Sequence, residues 1–211
     1  MLLILIPGRY NSYCFNAALF ISSLTFILSL IMWLIFDSGH NSFQFLCTID
    51  WLPAFNFYYT VGVDGISLFF LILTTFLIMV CVLISWGSIN YRLKEYLINF
   101  LLLEFLLIQV FSVLDLLLFY VFFESILMPM FLIIGIWGSR ERKIRAAYQF
   151  FLYTLVGSVL MLLGILIIYS HGGTTDLQML WNLEFTEKKQ IFLWVSFFLS
   201  FAVKIPMMPF H

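Results

Sequence analysis

Long apolar stretches alternate with short polar ones along most of this chain. Six of them approach or exceed the ~20 residues needed to cross a bilayer core of ~30 Å. They cover about residues 12–36, 66–86, 96–114, 116–137, 146–170 and 190–210. Three carry no charge; the others hold one each, Glu104, Glu124 and Lys204. A membrane β-barrel would show shorter alternating segments instead. The pattern predicts an all-α polytopic transmembrane helix bundle of about six spans, a single transmembrane domain over residues 1–211.

The connections differ in character. Residues 37–63 form a longer loop with Asp37, Asp50, Pro53 and several aromatics. Asp115 alone turns the third span into the fourth, which predicts a tight antiparallel pair. Residues 138–145 are basic, with Arg140, Arg142, Lys143 and Arg145, and Gly172–Gly173 stops the fifth span. Six crossings put Arg9, Arg92, Lys94 and those four basic residues on one side, against Lys188 and Lys189 on the other. Seven against two orients the N-terminus inward by the positive-inside rule.

Composition sharpens this reading. Of 211 residues, 64% are apolar and only 10% charged, whereas a soluble domain carries about a quarter charged residues. A water-soluble globular enzyme is excluded. The net charge of −1 offers no basic face for nucleic acid. Cys14, Cys47 and Cys81 are far apart, so neither a disulfide framework nor a metal spacing follows. The apolar run at Met1–Pro7 is too short for a cleavable leader, and Arg9 follows it rather than preceding it. No Gly-rich phosphate loop, Cys/His metal set or Ser/His/Asp grouping appears, and no nicotinamide, flavin or iron–sulfur motif is visible.

Candidate chemistry rests on Glu104, Glu124 and Lys204. Each costs about 2.5–3.5 kcal/mol near the bilayer centre, roughly 8–10 kcal/mol together. Such groups serve a function or pair with one another. Glu104 lies 11 residues before Asp115 and Glu124 nine after it, at depths of ~16 and ~13 Å. The two carboxyls can therefore face each other near mid-membrane, where both cannot ionise cheaply. That suits a proton relay. Lys204 precedes Pro206 and Pro209, which remove donors from the carbonyls of Ala202 and Ile205 and break the helix beside the ammonium. Transport folds place ion sites at such breaks. A lysine near a helix end that snorkels to the interface is the alternative.

Softer signals have structural readings. Gln149, Tyr153 and Gly157 repeat at i+4, as do Thr154 and Ser158; close helix packing competes there with a water-bearing stripe. Asp64 suits a helix N-terminus. The basic loop around Arg142 suits orientation and headgroup contact. His171 reads as a loop residue.

Several of these runs resemble a known family. Asp115 through Glu124 to Pro129, then Trp137-Gly138-Ser139-Arg140, then Ala146 through Tyr153, then Lys204-Ile205-Pro206-Met207-Met208-Pro209, with Val63-Asp64-Gly65 earlier, resemble the subunit 4 family of mitochondrial NADH dehydrogenase. These are antiporter-like membrane-arm subunits of respiratory complex I. The resemblance implies redox-driven proton translocation, with Glu124 and the broken-helix Lys204 as a coupled pair and Glu104 as a possible further carboxylate. It implies no cofactor in this chain. NADH, FMN, iron–sulfur clusters and ubiquinone belong to the parent complex. Implied partners are the other membrane-arm subunits and lipids, and the implied location is the mitochondrial inner membrane with the N-terminus on the matrix side.

The family fold has about fourteen helices with inverted repeats. This chain ends at His211 and lacks the second repeat. The expectation is a split subunit with a second chain carrying the missing helices; a partial record is the alternative. Competing functions are a cation/proton antiporter subunit of the same fold, and a purely structural half.

Overall fold

The computed structural model describes residues 11–40, 42–52, 57–89 and 91–210. The apolar start at Met1–Pro7, Arg9, Pro53 and the terminal His211 lie outside the described residues. Among the described residues, eight helices and one hairpin follow in order: α1 (Asn11–Ile35), β1 (Gln44–Leu52), β2 (Phe57–Val63), α2 (Gly65–Ile84), α3 (Leu93–Ser112), α4 (Leu116–Ser125), α5 (Leu127–Trp137), α6 (Lys143–Gly172), α7 (Leu177–Leu180) and α8 (Glu187–Lys204).

Among the described residues, five segments are long and apolar enough to span a bilayer, with α4 and α5 together forming one from Leu116 to Trp137. The sixth expected span, about residues 190–210, falls on α8, which is not among these five. It is shorter than the apolar pattern suggests, because the helix starts on Glu187, Lys188 and Lys189 and ends at Lys204, ahead of the prolines. The fourth span is interrupted at Ile126, whose backbone stays helical at φ −59° and ψ −30°. Pro129, three residues on, has no N–H for the carbonyl of Ser125, which weakens the ladder there.

The helical bundle carries one small extended element. Much of the loop after α1 is an antiparallel hairpin, with Thr48 opposite Thr60 and Asp50 opposite Tyr58. Its β-branched and aromatic residues favour extended backbone, and pairing satisfies main-chain groups that a loop would leave to water. The hairpin closes one end of the bundle. Leu114 N–H donates to Thr60 O at 2.9 Å, Leu116 N–H to Thr175 O at 3.0 Å, and Leu177 N–H to Leu114 O at 2.9 Å. Three connections two helices apart thus meet at one end, as an up-and-down order of spans requires. At the other end, the Trp137 indole donates to Tyr91 O at 2.9 Å and Lys143 Nζ to Ile136 O at 2.7 Å.

Local chemistry explains the helix limits. Asp64 forms a capping box with Ser67 at the start of α2, as its position suggests. Asp115, 2% exposed, accepts from Leu117 N–H and Leu118 N–H at 2.9 and 3.0 Å and starts α4. Gly173 adopts φ +66° just after α6, the left-handed stop that glycine accommodates without strain.

Packing joins α1, α2 and α3 through Cys14, Phe15, Ala18, Ile78, Val82, Leu97 and Leu103. A second cluster nearer the hairpin contains Val63, Leu68 and Leu71. α8 lies against α6, where a Cβ on Gly157 would come within 2.9 Å of Val203. Small residues let the two helices approach closely, the packing mode expected between membrane helices. Large apolar side chains such as Phe20, Leu34, Phe69, Leu152, Val156 and Trp194 are exposed on outer faces, as suits contact with lipid or neighbouring subunits.

Candidate functional site

Lys204 is the last residue of α8. Pro206 cannot continue the helical ladder, yet the carbonyl of Ala202 is not left free: Met207 N–H donates to it at 3.0 Å, and Ile205 N–H donates to Phe201 O at 2.9 Å. The expectation that the Ala202 carbonyl is left free beside the ammonium is therefore corrected. Lys204 Nζ reaches across to α4. It donates to Phe123 O at 2.9 Å, lies 3.0 Å from the centre of the Phe123 ring, and sits 3.9 Å from Glu124 Oε1. The side chains of Lys204 and Glu124 are 18% and 19% exposed. Lys204 thus points into the bundle rather than snorkelling out.

The ammonium keeps three kinds of stabilisation here: a carbonyl, an aromatic face and an anion. Glu124 is less well provided for. Its Oε1 is buried without a hydrogen-bond partner. At 3.9 Å from the ammonium it feels attraction but no hydrogen bond. A carboxylate oxygen left in this way can accept a proton or a water. One turn earlier on the same helix lies Tyr120. Ser158 and Thr154 are buried and donate to carbonyls of their own helix, Leu155 O and Phe150 O. Those hydroxyls favour the packing reading of the α6 stripe. Tyr153 instead faces outward and donates to Phe210 O at 2.7 Å.

Glu104 belongs to a different cluster. It is 3% exposed on α3 and accepts from Thr25 Oγ1 of α1 at 2.5 Å. The expected facing pair of acids is therefore not formed: Glu104 is held by α1 and Glu124 is set against α8. Helix rotation, which spacing from a corner does not specify, decides this. Sequence reasoning missed Thr25, although Ser22, Thr25 and Ser29 recur at helical spacing on α1. It also missed Thr175, whose hydroxyl donates to Asp115 Oδ2 at 2.5 Å. His171 makes contacts at the end of α6, with Nε2 3.3 Å from Glu184 O and Nδ1 3.3 Å from Lys189 Nζ. Among the described residues, no three His, Cys, Asp or Glu side chains gather as a metal site.

Comparison with known proteins places this geometry. Residues 113–211 match the family described as NADH:quinone oxidoreductase/Mrp antiporter, transmembrane. Over 210 residues the chain is 67% identical to NADH-ubiquinone oxidoreductase chain 4 of Chondrus crispus, and over 211 residues 57% identical to that of Arabidopsis thaliana; each match takes in 100% of this chain and 43% of the relative. The chain thus spans less than half the length of these relatives. Its fold matches a chain of respiratory complex I from Thermus thermophilus with bound NADH, at 28% identity and a TM-score of 0.83, covering 100% of this chain and 44% of that one. A chain of the Mrp complex from Dietzia sp. DQ12-45-1b shares the fold at a TM-score of 0.80 and 15% identity, covering 96% of this chain and 23% of that one. The chain is similar throughout its length to the N-terminal portion of NADH-ubiquinone oxidoreductase chain 4.

Proposed function

We propose that this chain is part of a proton-translocating subunit in the membrane arm of respiratory complex I, where electron transfer from NADH to ubiquinone in other subunits drives proton movement here. The observation carrying this reading is Lys204 held 3.9 Å from Glu124 at the end of a broken helix, inside an apolar bundle. In this proposal FMN, the iron–sulfur clusters and the quinone site belong to the rest of the complex. The location is the mitochondrial inner membrane, with the basic loops and the N-terminus on the matrix side. The whole span of the chain acts as one transmembrane unit. Its partners are the other membrane-arm subunits and lipids.

The mechanism is electrostatic. Neutralising Glu124 removes the anion from beside Lys204, while the Phe123 carbonyl and ring remain. The ammonium then loses the charge that opposes its own, and a proton can pass on through water and polar side chains. Recharging Glu124 restores the pair. Low local dielectric makes this exchange large compared with thermal energy.

The test is proton uptake per NADH oxidised in membranes carrying the assembled complex with Glu124→Gln or Lys204→Met. Loss of uptake with the complex still assembled supports the proposal; wild-type uptake in both variants refutes it. Sodium-dependent transport without NADH oxidation would point instead to the cation/proton antiporter alternative. Loss of assembly on deletion, with no effect from the buried charges, would point to the structural one.

A further inference from the structure

Glu104 lies outside the Lys204 site, and a second feature lies beside it. A cavity of about 320 Å³ is bounded by α1, α2, α3 and the hairpin. Its polar lining comprises Thr25, Ser29, Tyr59, Thr75, Gln109 and Ser112. Tyr59 donates to Gln109 Oε1, and the hydroxyls of Ser29 and Thr75 are 3.0 Å apart. The rest of the lining is apolar, so any water in this space is held at these polar positions. Ser112 marks the hairpin end of α3. Glu104, eight residues back, is ~12 Å below it.

Thr25 joins the cavity to the carboxyl. Its hydroxyl lines the cavity, lies 2.5 Å from Glu104 Oε1 and also lies 2.9 Å from Ser22 O. A hydroxyl has one hydrogen to give. When Glu104 is ionised, that hydrogen goes to the carboxylate. When Glu104 carries a proton, the carboxyl donates to Thr25 and the threonine hydrogen turns to Ser22 O. Both short contacts are thus used in turn as the carboxyl gains and loses its proton.

We propose that the cavity between the hairpin and α1–α3 is a hydrated proton-access chamber for Glu104, with Thr25 as its relay. A hydronium ion in the chamber gives a proton to Thr25 Oγ1 as the threonine O–H bond passes its own proton to Glu104 Oε1. Water is left in the chamber and a neutral carboxyl on α3. Tyr59 is the titratable group in the chamber wall, and Glu104 is the acid it serves. The route opens on the side opposite the basic loops. This rests on the proton-translocation reading above and adds a second protonation site to it, separate from Glu124 and Lys204.

The experiment uses the intact complex in its membrane. Thr25→Val keeps the volume and removes the relay; Thr25→Ser keeps the hydroxyl. Infrared difference spectra, with the Glu104 band assigned by Glu104→Gln, follow hydrogen–deuterium exchange of the carboxyl. Exchange is expected to slow about 10- to 100-fold in Thr25→Val and to stay near wild type in Thr25→Ser. Unchanged exchange in Thr25→Val overturns the relay. Ser112→Cys, in a Cys47→Ser background, is expected to react with a charged, membrane-impermeant methanethiosulfonate added from the hairpin side. Failure to react, as for a chamber filled by a lipid chain, overturns the hydrated route. Glu124→Gln serves as the reference in proton-uptake assays. Normal uptake in Glu124→Gln sinks the underlying reading, whereas impaired uptake there with wild-type uptake and exchange in Thr25→Val sinks the chamber alone.

Discussion

Removing the charge at position 124, at position 204 and at both tests the central pair as a thermodynamic unit. Two unit charges 3.9 Å apart attract by about 4 kcal/mol at an effective dielectric of ~20. Both side chains are mostly buried, so solvent screening removes little of this. Losing one partner of a buried pair costs about 3–5 kcal/mol, because the other is stranded. Lys204 keeps the Phe123 carbonyl and ring, so Glu124→Gln should fall at the low end of that range. Lys204→Met strands Glu124, whose Oε1 already has no hydrogen bond, and should fall at the high end. The double variant Glu124→Gln/Lys204→Met should lose less than the two single losses combined, by about 1–3 kcal/mol. The assay is thermal stability of the subunit in the purified complex, beside proton uptake per NADH oxidised. Additive losses would refute the pairing, and wild-type proton uptake in the double variant would refute its role.

Three further outcomes follow from other contacts. Asp115→Ala removes the α4 cap and the Thr175 bond, and should cost about 2–3 kcal/mol of thermal stability while leaving protons per NADH unchanged in the complex that survives. Gly157→Val drives a side chain into Val203, next to Lys204; it should cost about 1–3 kcal/mol and lower proton uptake, with partial rescue by Val203→Ala. Burial holds the Tyr59 phenol above the usual tyrosine range, ahead of the opposing effect of its Gln109 bond. The stability that the neutral phenol contributes is therefore present at neutral pH and lost only as pH rises above about 10, the ordinary tyrosine value. Absorbance near 295 nm, compared with Tyr59→Phe, should show no ionisation of this residue between pH 6 and 9.

The pattern of apolar runs found the membrane helices because a bilayer imposes a length that any spanning helix must meet. It carried the last run on to residue 210, past the end of α8 at Lys204; the break there was legible from Pro206, which cannot extend a helical ladder whatever surrounds it. Asp64 was legible for a similar reason: a capping box closes within four residues. The hairpin was harder to read, because its pairing joins residues across a turn and its aromatics look like any polar–apolar loop. The break between α4 and α5 was hidden inside a run whose length reads as one span.

The candidate site divides along the same line. Expense alone marked Glu104, Glu124 and Lys204, since ionisable groups in hydrocarbon call for partners. Which partner each one has is a matter of helix rotation and crossing, and these depend on side chains far apart in sequence. Packing of Val203 on Gly157 brings Lys204 to Phe123 and Glu124, and packing of α1 on α3 gives Glu104 to Thr25 instead of to a second acid. Local rules act over one or two turns of backbone and are written in consecutive residues. The meeting of residues 79 or 80 positions apart comes from the summed close packing of whole helices, and it exists only once the bundle has formed.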